Sequence, residues 1–99
     1  MQIIRDIAML HRAVTALKQG RKSVALVPTM GSLHDGHLSL VRMAKRVADH
    51  AVVSIFVNPT QFGPNEDFAA YPRDEARDAA MLVEEGTSLL WAPDVRVMH

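Results

Sequence analysis

The residues best suited to chemistry lie in one short segment, His34-Asp35-Gly36-His37. It falls between a predicted strand and a predicted helix, so His37 stands at a helix start, where unsatisfied amides and the helix dipole favour an anion. Two imidazoles three residues apart can donate hydrogen bonds to phosphate oxygens there, and Gly36 removes a side chain where phosphates approach the backbone. Such donors contribute most if the phosphate gains negative charge in the transition state. The chemistry that fits is attack on the α-phosphate of a nucleotide with pyrophosphate leaving.

A His-x-x-His spacing is weak by itself, because it also occurs in surface turns and in metal sites. A zinc site is disfavoured here, since the sequence has no cysteine and the other histidines, His11, His50 and His99, fall in unrelated predicted elements. We therefore predict no resident metal. The order of strand, Pro28-to-Gly31 turn, histidine pair and helix favours the functional interpretation.

The elements that must position this segment alternate between strand and helix. Short apolar runs predict buried strands, and apolar residues three or four apart predict helices. Asp6 is the predicted cap of the first helix, and Gly20 and Gly86 are predicted to end the first and third. The predicted strands cover 2–4, 24–27, 51–57 and 88–92, and the predicted helices cover 6–19, 36–48 and 74–85. This alternation predicts an α/β fold with a parallel sheet, helices on its faces and right-handed crossovers.

The apolar positions define the helix faces that should pack on the sheet. On the second helix they are Leu38, Val41 and either Ala44 or Lys45, and on the third they are Ala79, Leu82 and Val83. We predict core packing for three aromatic residues, Phe62, Phe68 and Trp91. We predict a solvated helix face for four charged residues, Asp74, Glu75, Arg77 and Asp78.

Three polar segments follow predicted strands and should meet at the carboxyl edge of the sheet: Pro28 to His37, Asn58 to Gln61, and Ala92 to Asp94. Ligands bind at that edge in open α/β folds. The loop from Asn58 to Tyr71 is also long, and loops of that length tend to be functional.

Composition narrows the classes of partner. The chain has 99 residues, which suits one small domain, and its eleven basic and eleven acidic residues cancel. No basic excess exists to neutralise a nucleic-acid backbone, no apolar stretch is long enough to span a bilayer, and early charges at Arg5 and Asp6 do not fit a signal peptide. We expect small-molecule substrates, no nucleic acid, no membrane and a cytoplasmic location.

Two longer motifs connect the sequence to a family. His34-Asp35-Gly36-His37 resembles the His-x-Gly-His signature of the nucleotidyltransferase superfamily that includes class I aminoacyl-tRNA synthetases. The flanks are more specific: Val27 to His37 resembles a pantothenate synthetase segment almost throughout, and Val53 to Phe62 resembles the second signature of that family. Asp67 and Tyr71-Pro72-Arg73 fit its continuation. The similarity spans nearly the whole chain.

The resemblance implies a Rossmann-like nucleotide-binding domain and an ATP-dependent ligase. ATP and pantoate would give pantoyl adenylate and pyrophosphate, and the amine of β-alanine would then displace AMP to give pantothenate. The implied ATP-binding residues are Met30, Gly31, Ser32, Leu33, His34, Asp35, Gly36 and His37. By the same resemblance His34 and His37 are the catalytic pair that contacts the phosphates, and His37 has a proton-donor role.

The resemblance also implies the substrate side of the site. Gln61 would bind pantoate and lie beside the β-alanine site, and its amide offers two donors and one acceptor for a hydroxyl and a carboxylate. Pro28, Thr29 and Met30 would line the pocket where the substrates meet. ATP would be a substrate accompanied by Mg²⁺, with no tightly bound cofactor. A homo-oligomer is expected.

Pantothenate synthetases are considerably longer than 99 residues. We therefore expect residues 1–99 to form the truncated N-terminal half of the nucleotide-binding domain, without the later cationic motifs and the small C-terminal lid domain. The alternatives are a folded but inactive fragment that binds nucleotide weakly or self-associates, a cytidylyltransferase-like enzyme, and a metal-binding module. The segment from Asn58 to Phe62 argues against the cytidylyltransferase, because it matches the pantoate-site signature.

Overall fold

The computed structural model describes residues 1–56 and 75–93. Its strands are β1 (Gln2–Ile4), β2 (Val24–Thr29), β3 (His50–Ile55) and β4 (Leu89–Trp91), and its helices are α1 (Ile7–Leu17), α2 (Asp35–Val47) and α3 (Glu75–Glu84). A short 3₁₀ turn, Gln19–Arg21, follows α1. The four strands form one parallel sheet in the order β1-β4-β3-β2. The predicted α/β class with flanking helices is confirmed.

The sheet carries a separate apolar core on each face, because alternate strand residues point to opposite sides. Val52 of β3 joins the smaller core with Ile4 and Leu89, against which α1 and Trp91 pack. Ala51 and Val53 face the larger core beneath α2 and α3, whose buried members are Val27, Leu33, Leu38, Val41, Ala44, Ala51, Val53, Leu82, Leu90 and Ala92. The larger core is the one that supports the histidine segment, since both Leu33 and Leu38 flank it.

Helix α1 begins as the sequence predicts. The Asp6 carboxylate accepts a hydrogen bond of 2.9 Å from the backbone N–H of Met9, which satisfies one of the amides left open at a helix start. The helix ends at Leu17, two residues earlier than predicted. Gly20 lies in the 3₁₀ turn that follows, with a φ of 70° that glycine adopts without strain.

Loss of the Asp6 cap gives a direct test of this helix start. We expect Asp6→Ala to lower the free energy of unfolding by about 1 kcal/mol, because the Met9 N–H loses its acceptor. Asp6→Asn is the matched control, since its amide oxygen can accept the same bond. Urea unfolding of the three proteins measures the difference, and equal losses in both variants would contradict the capping role.

Strand β2 continues through Pro28 to Thr29, so the prediction that Pro28 closes the strand is wrong. Among the described residues β2 pairs only with β3. The carbonyl of Ser23 accepts a 3.0 Å hydrogen bond from the N–H of His50, and the carbonyl of Thr29 accepts one of 3.0 Å from the N–H of Phe56. Since alternate residues of β2 bond to β3, the nitrogen of Pro28, next to Thr29, faces away from that strand. A proline at such a position removes no ladder hydrogen bond.

The inner face of α2 is as predicted, with Leu38, Val41 and Ala44 buried. Lys45 instead lies at the surface and donates a 2.9 Å hydrogen bond to the carbonyl of Glu85, just past the end of α3. This contact places a cation where helix carbonyls are unsatisfied.

Helix α3 departs from prediction at two positions. Leu82 is fully buried and Ala79 packs against the larger core, but Val83 is 54% exposed. Asp78, predicted to lie on a solvated face, is only 1% exposed. The prediction for Asp78 is therefore wrong, and the reason is that its carboxylate is bonded to backbone amides of a distant turn. Glu75 follows the prediction only in part, because it is half-buried in an ion pair with Arg5.

Several predictions fall outside the described residues: those for Asn58 to Tyr71, including Gln61, Phe62, Phe68 and Asp67, and those for Pro72 to Asp74 and for Asp94. The strand predicted to reach Val57 ends at Ile55 as far as the structure describes it. In residues 1–56 and 75–93, no helix has the length and apolar character needed to cross a membrane.

Candidate functional site

The turn from β2 into α2 contains most of the predicted site. At its start, the Thr29 hydroxyl donates a 2.8 Å hydrogen bond to the carbonyl of Ser54 and accepts one of 3.3 Å from the N–H of Gly31. Gly31 and Ser32 then adopt positive φ values of 91° and 52°. A Cβ at Gly31 would also lie 3.3 Å from Cγ2 of Ile55. The chain therefore reverses here against the end of β3, and glycine is required at the tightest point.

The second half of the turn is held from beneath by α3. The two carboxylate oxygens of Asp78 accept hydrogen bonds of 2.9 Å from the N–H groups of Ser32 and Leu33. Leu33 is 1% exposed, so its side chain anchors the turn in the larger core. Arg77 donates a 3.4 Å bond to the carbonyl of Leu33. The turn is thus tied to a helix that lies more than forty residues later in the chain.

The two histidine side chains cap the start of α2 by accepting hydrogen bonds from backbone N–H groups. His34 is the N-cap residue, and its Nδ1 accepts a 3.0 Å hydrogen bond from the N–H of Gly36. His37 is the third helical residue, and its Nδ1 accepts a 3.2 Å bond from the N–H of His34. This is a capping box built from two imidazoles. Their ring centroids lie 4.2 Å apart with an interplanar angle of 44°.

The capping box determines which ring nitrogens face outward as donors. A nitrogen that accepts a hydrogen bond carries no proton, so in each neutral ring the proton is assigned to Nε2. Each imidazole therefore keeps one N–H donor that the cap does not use. His34 is exposed and His37 is half-buried, so a ligand can reach both.

The surroundings of His37 keep its ring neutral. Burial lowers the pKa of His37 below 6.5, the neighbouring His34 lowers it further, and the buried Asp78 carboxylate opposes them by a smaller amount. At pH 7 the residue is therefore a neutral donor through Nε2.

A pH titration tests this arrangement. We expect the His37 ring to titrate below its ordinary pKa of 6.5 in an NMR experiment, and to titrate higher in His34→Gln, because the electrostatic influence of His34 that lowers the His37 pKa is removed. Since the folded-state pKa is the depressed one, the neutral His37 stabilises the fold above pH 6.5, and this contribution is lost as the pH falls through the folded-state value. A His37 midpoint above 6.5 would contradict the assignment.

Most backbone amides of the turn are already used inside the protein. Between Gly31 and His37, five N–H groups donate to protein acceptors: those of Gly31, Ser32, Leu33, His34 and Gly36. A glycine-rich phosphate loop works differently, because its free amides surround the anion. Here the donors that remain for an anion are mainly the imidazole side chains.

Gly36 makes room for a side chain of its own segment. A Cβ at this position would lie 2.8 Å from Cε1 and 3.1 Å from Nδ1 of His34. The His34 ring therefore lies against the space that glycine leaves. Gly36 is needed so that the ring can fold back onto its own helix.

The residues predicted to line the substrate pocket lie at the same edge. Pro28 and Met30 are exposed, with 40% of the Met30 surface accessible, and Thr29 is half-buried. Thr29 pairs in register with Ile55, and Ser54 with Trp91, so the carboxyl ends of β2, β3 and β4 are adjacent. This edge therefore brings the segment from Pro28 to His37 near Ala92 and Pro93, while the segment from Asn58 to Gln61 lies outside the described residues.

Asp78 is the site residue that the sequence interpretation missed. Its one local signal is its spacing, because a position four residues before the buried Leu82 lies on the same helix face. In residues 1–56 and 75–93, no group of three His, Cys, Asp or Glu side chains is arranged to hold a metal ion.

Fold and site together define a class: a parallel α/β domain with an imidazole pair at the carboxyl edge of its sheet. Within that class, the chain belongs to the pantoate–β-alanine ligase family, whose model matches residues 2–99. It is 91% identical over its full length to the pantothenate synthetase of Sphingopyxis alaskensis and 60% identical over 97 residues to that of Rhodopseudomonas palustris. It spans 36% and 34% of those proteins, or about a third of their length.

Solved structures agree with the family. A crystal structure of the Thermus thermophilus enzyme matches the whole chain with a TM-score of 0.86 and 49% identity, and the chain covers 34% of that protein. The Francisella tularensis pantoate–β-alanine ligase, solved in complex with β,γ-ATP and β-alanine, matches 99% of the chain with a TM-score of 0.86 and 38% identity, with 37% of that protein covered. The predicted family and fold are both confirmed.

Proposed function

We propose that this chain supplies the ATP-phosphate side of an enzyme that joins pantoate and β-alanine. The observation that carries the proposal is the imidazole capping box, which leaves the Nε2–H groups of His34 and His37 as donors at the start of α2. Support comes from family membership and from the ATP and β-alanine named in the Francisella complex.

The proposed reaction has two steps. A pantoate carboxylate oxygen bonds to the α-phosphorus of ATP, and the bond from that phosphorus to the bridging oxygen breaks, releasing pyrophosphate. The amine of β-alanine then attacks the acyl carbon, loses a proton and displaces AMP. Negative charge grows on phosphate oxygens in the first step, so fixed imidazole donors stabilise that transition state. His37 acts as the proton donor, and its ring is half-buried with Nδ1 bound to the His34 N–H.

The remaining parts of the site follow from the same proposal. The ATP-binding stretch is Met30 to His37, and Pro28, Thr29 and Met30 line the pocket between the substrates. Gln61 binds pantoate. Within the stretch, Ser32 and Leu33 shape the turn through their bonds to Asp78 rather than contact phosphate through their amides.

Further expectations belong to this proposal. Residues 1–99 form the N-terminal part of a nucleotide-binding domain whose lid lies in a separate C-terminal domain. Mg²⁺ accompanies ATP, because nucleotide phosphates usually carry it. The enzyme is a cytoplasmic homo-oligomer, and the 61% exposure of Leu26 on β2 offers apolar surface for association.

A chimera tests the proposal directly. Residues 1–99 replace the matching segment of the Sphingopyxis alaskensis relative, with which they share 91% identity, so the junction should be tolerated. We expect ATP–pyrophosphate exchange that requires pantoate but not β-alanine, and AMP formation that requires all three substrates. Exchange without pantoate, or with CTP in place of ATP, would contradict the proposal.

A thermal melt of the 99-residue chain distinguishes a chain that binds the adenylate by itself from an inactive fragment. A stable pantoyl-adenylate analogue should raise the melting temperature of the chain but not that of His37→Ala. A cooperative melt that the analogue does not shift would mean that the rest of the protein is needed for binding, and would favour the inactive fragment.

A further inference from the structure

Asp78 is a buried carboxylate that the proposed reaction does not use. It is 1% exposed, and a charge so removed from water needs hydrogen-bond partners. Its partners are two consecutive backbone amides, those of Ser32 and Leu33, each at 2.9 Å. Its nearest described cation is the guanidinium of Arg77, 3.8 Å away.

The turn above Asp78 has the geometry of an anion-binding concavity. The chain turns through positive φ values at Gly31 and Ser32, and the consecutive N–H groups of Ser32 and Leu33 point to the same side, since both donate to the Asp78 carboxylate. In other proteins such a concavity receives a phosphate. Here the carboxylate of Asp78 fills it from the protein interior.

The turn also sets the position of the histidine pair. Leu33 is followed directly by His34, the N-cap residue, so a shift of the Leu33 backbone moves the start of α2. The capping bonds between His34, Gly36 and His37 depend on that start. Asp78 therefore acts on the imidazoles through the turn. Among the described residues, no hydrogen bond joins it to either ring.

We propose that Asp78 is a positioning residue of the phosphate site, which occupies the amides of Ser32 and Leu33 so that the imidazoles of His34 and His37 receive the phosphates. The inference rests on the proposed function, because it concerns the same ATP site. It assigns to α3 a role in that site, although α3 has no residue in the predicted ATP-binding stretch.

Asp78→Asn in the chimera is the first test. The substitution keeps the shape but replaces one acceptor oxygen with an NH₂ group that faces an N–H donor. We expect a roughly tenfold fall in kcat for pyrophosphate exchange with a smaller change in the KM for ATP, because the imidazole donors are misplaced. Glu85→Gln is the matched control: it also removes an α3-side carboxylate, but one bonded to Arg42, and should leave kcat unchanged.

Ring ¹⁵N spectra of the ligand-free chimera give a readout independent of activity. In the unsubstituted protein, Nδ1 of His34 and His37 should show the unprotonated signature, and Asp78→Asn should bring both rings toward a mixture of tautomers. Unchanged ring signals and unchanged kcat in Asp78→Asn would overturn the inference. Changed ring signals in a chimera without pantoate-dependent exchange would uphold the positioning role and reject the proposed function instead.

A second measurement avoids the variant altogether, should Asp78→Asn not fold. The amides of Ser32 and Leu33 should resist hydrogen exchange in the ligand-free chimera, and a non-hydrolysable ATP analogue should move the His34 and His37 ring signals but not these amides. Large shifts of the two amides on adding the analogue would overturn the inference, because phosphate would then be their acceptor.

Discussion

His37→Ala in the full-length chimera is expected to slow pantoate-dependent pyrophosphate exchange by about a hundredfold or more. The change removes the Nε2–H donor, and loss of one preorganised donor to a developing oxyanion has about this effect. The KM for ATP should change less than kcat, because the donor contributes most where phosphate charge grows. Exchange kinetics with saturating pantoate measure both quantities. An unchanged kcat would remove His37 from the reaction.

The same substitution also deletes a structural bond, so it needs a control. Nδ1 of His37 accepts the N–H of His34, and alanine leaves that amide without its acceptor. His37→Gln addresses this, since glutamine at the third helical position is a usual member of a capping box. We expect His37→Gln to recover the stability lost in His37→Ala but to recover little activity. Full recovery of activity would mean that His37 acts only through the cap.

The sequence predicted the order of elements well because the signals for their ends are local. The Asp6 cap and the glycine after α3, which has a φ of 77°, act within one turn of their own helix. Apolar spacing likewise identified Leu38 and Val41. By contrast, the placement of β1 beside β4 depends on pairing between distant parts of the chain, from Gln2 to Leu89, for which the sequence carries no local signal.

The missed features share one cause, which is that their partners are distant in the chain. A charged residue on a helix is usually solvated, which is why the sequence predicts a surface position for Asp78. Its burial depends on the amides of Ser32 and Leu33, about 45 positions away. Pro28 was predicted to end a strand because the sequence does not show that its nitrogen faces away from β3.

The histidine motif was predicted in position but not in geometry. Its spacing indicated two donors at a helix start, and the structure places both rings there. That each ring also accepts a backbone N–H could not be read from spacing, because many rotamers satisfy a His-x-x-His pattern. The close packing of the His34 ring on residue 36 gives the glycine a structural reason that the spacing does not show.

Gly36→Ala should separate stability from activity in this site. Gly36 has an ordinary helical position near the start of α2, so alanine there favours the helix by up to about 1 kcal/mol. The added Cβ, however, would lie 2.8 Å from Cε1 of His34, so the ring must swing away and give up its bond to the residue 36 amide. Loss of that cap costs about 1 kcal/mol. The two effects nearly cancel, and the melting temperature should change little.

Activity should respond quite differently to Gly36→Ala, because catalysis depends on where the His34 ring lies and not on the net stability of α2. We expect kcat for pyrophosphate exchange in the chimera to fall by about a hundredfold, the effect of misplacing a reacting group by about 1 Å. Ser39→Ala, at an exposed position of the same helix, is the matched control and should leave kcat unchanged. If Gly36→Ala kept full activity with a displaced His34 ring, phosphate recognition would rest on His37 alone, and the imidazole pair would be one donor and one cap.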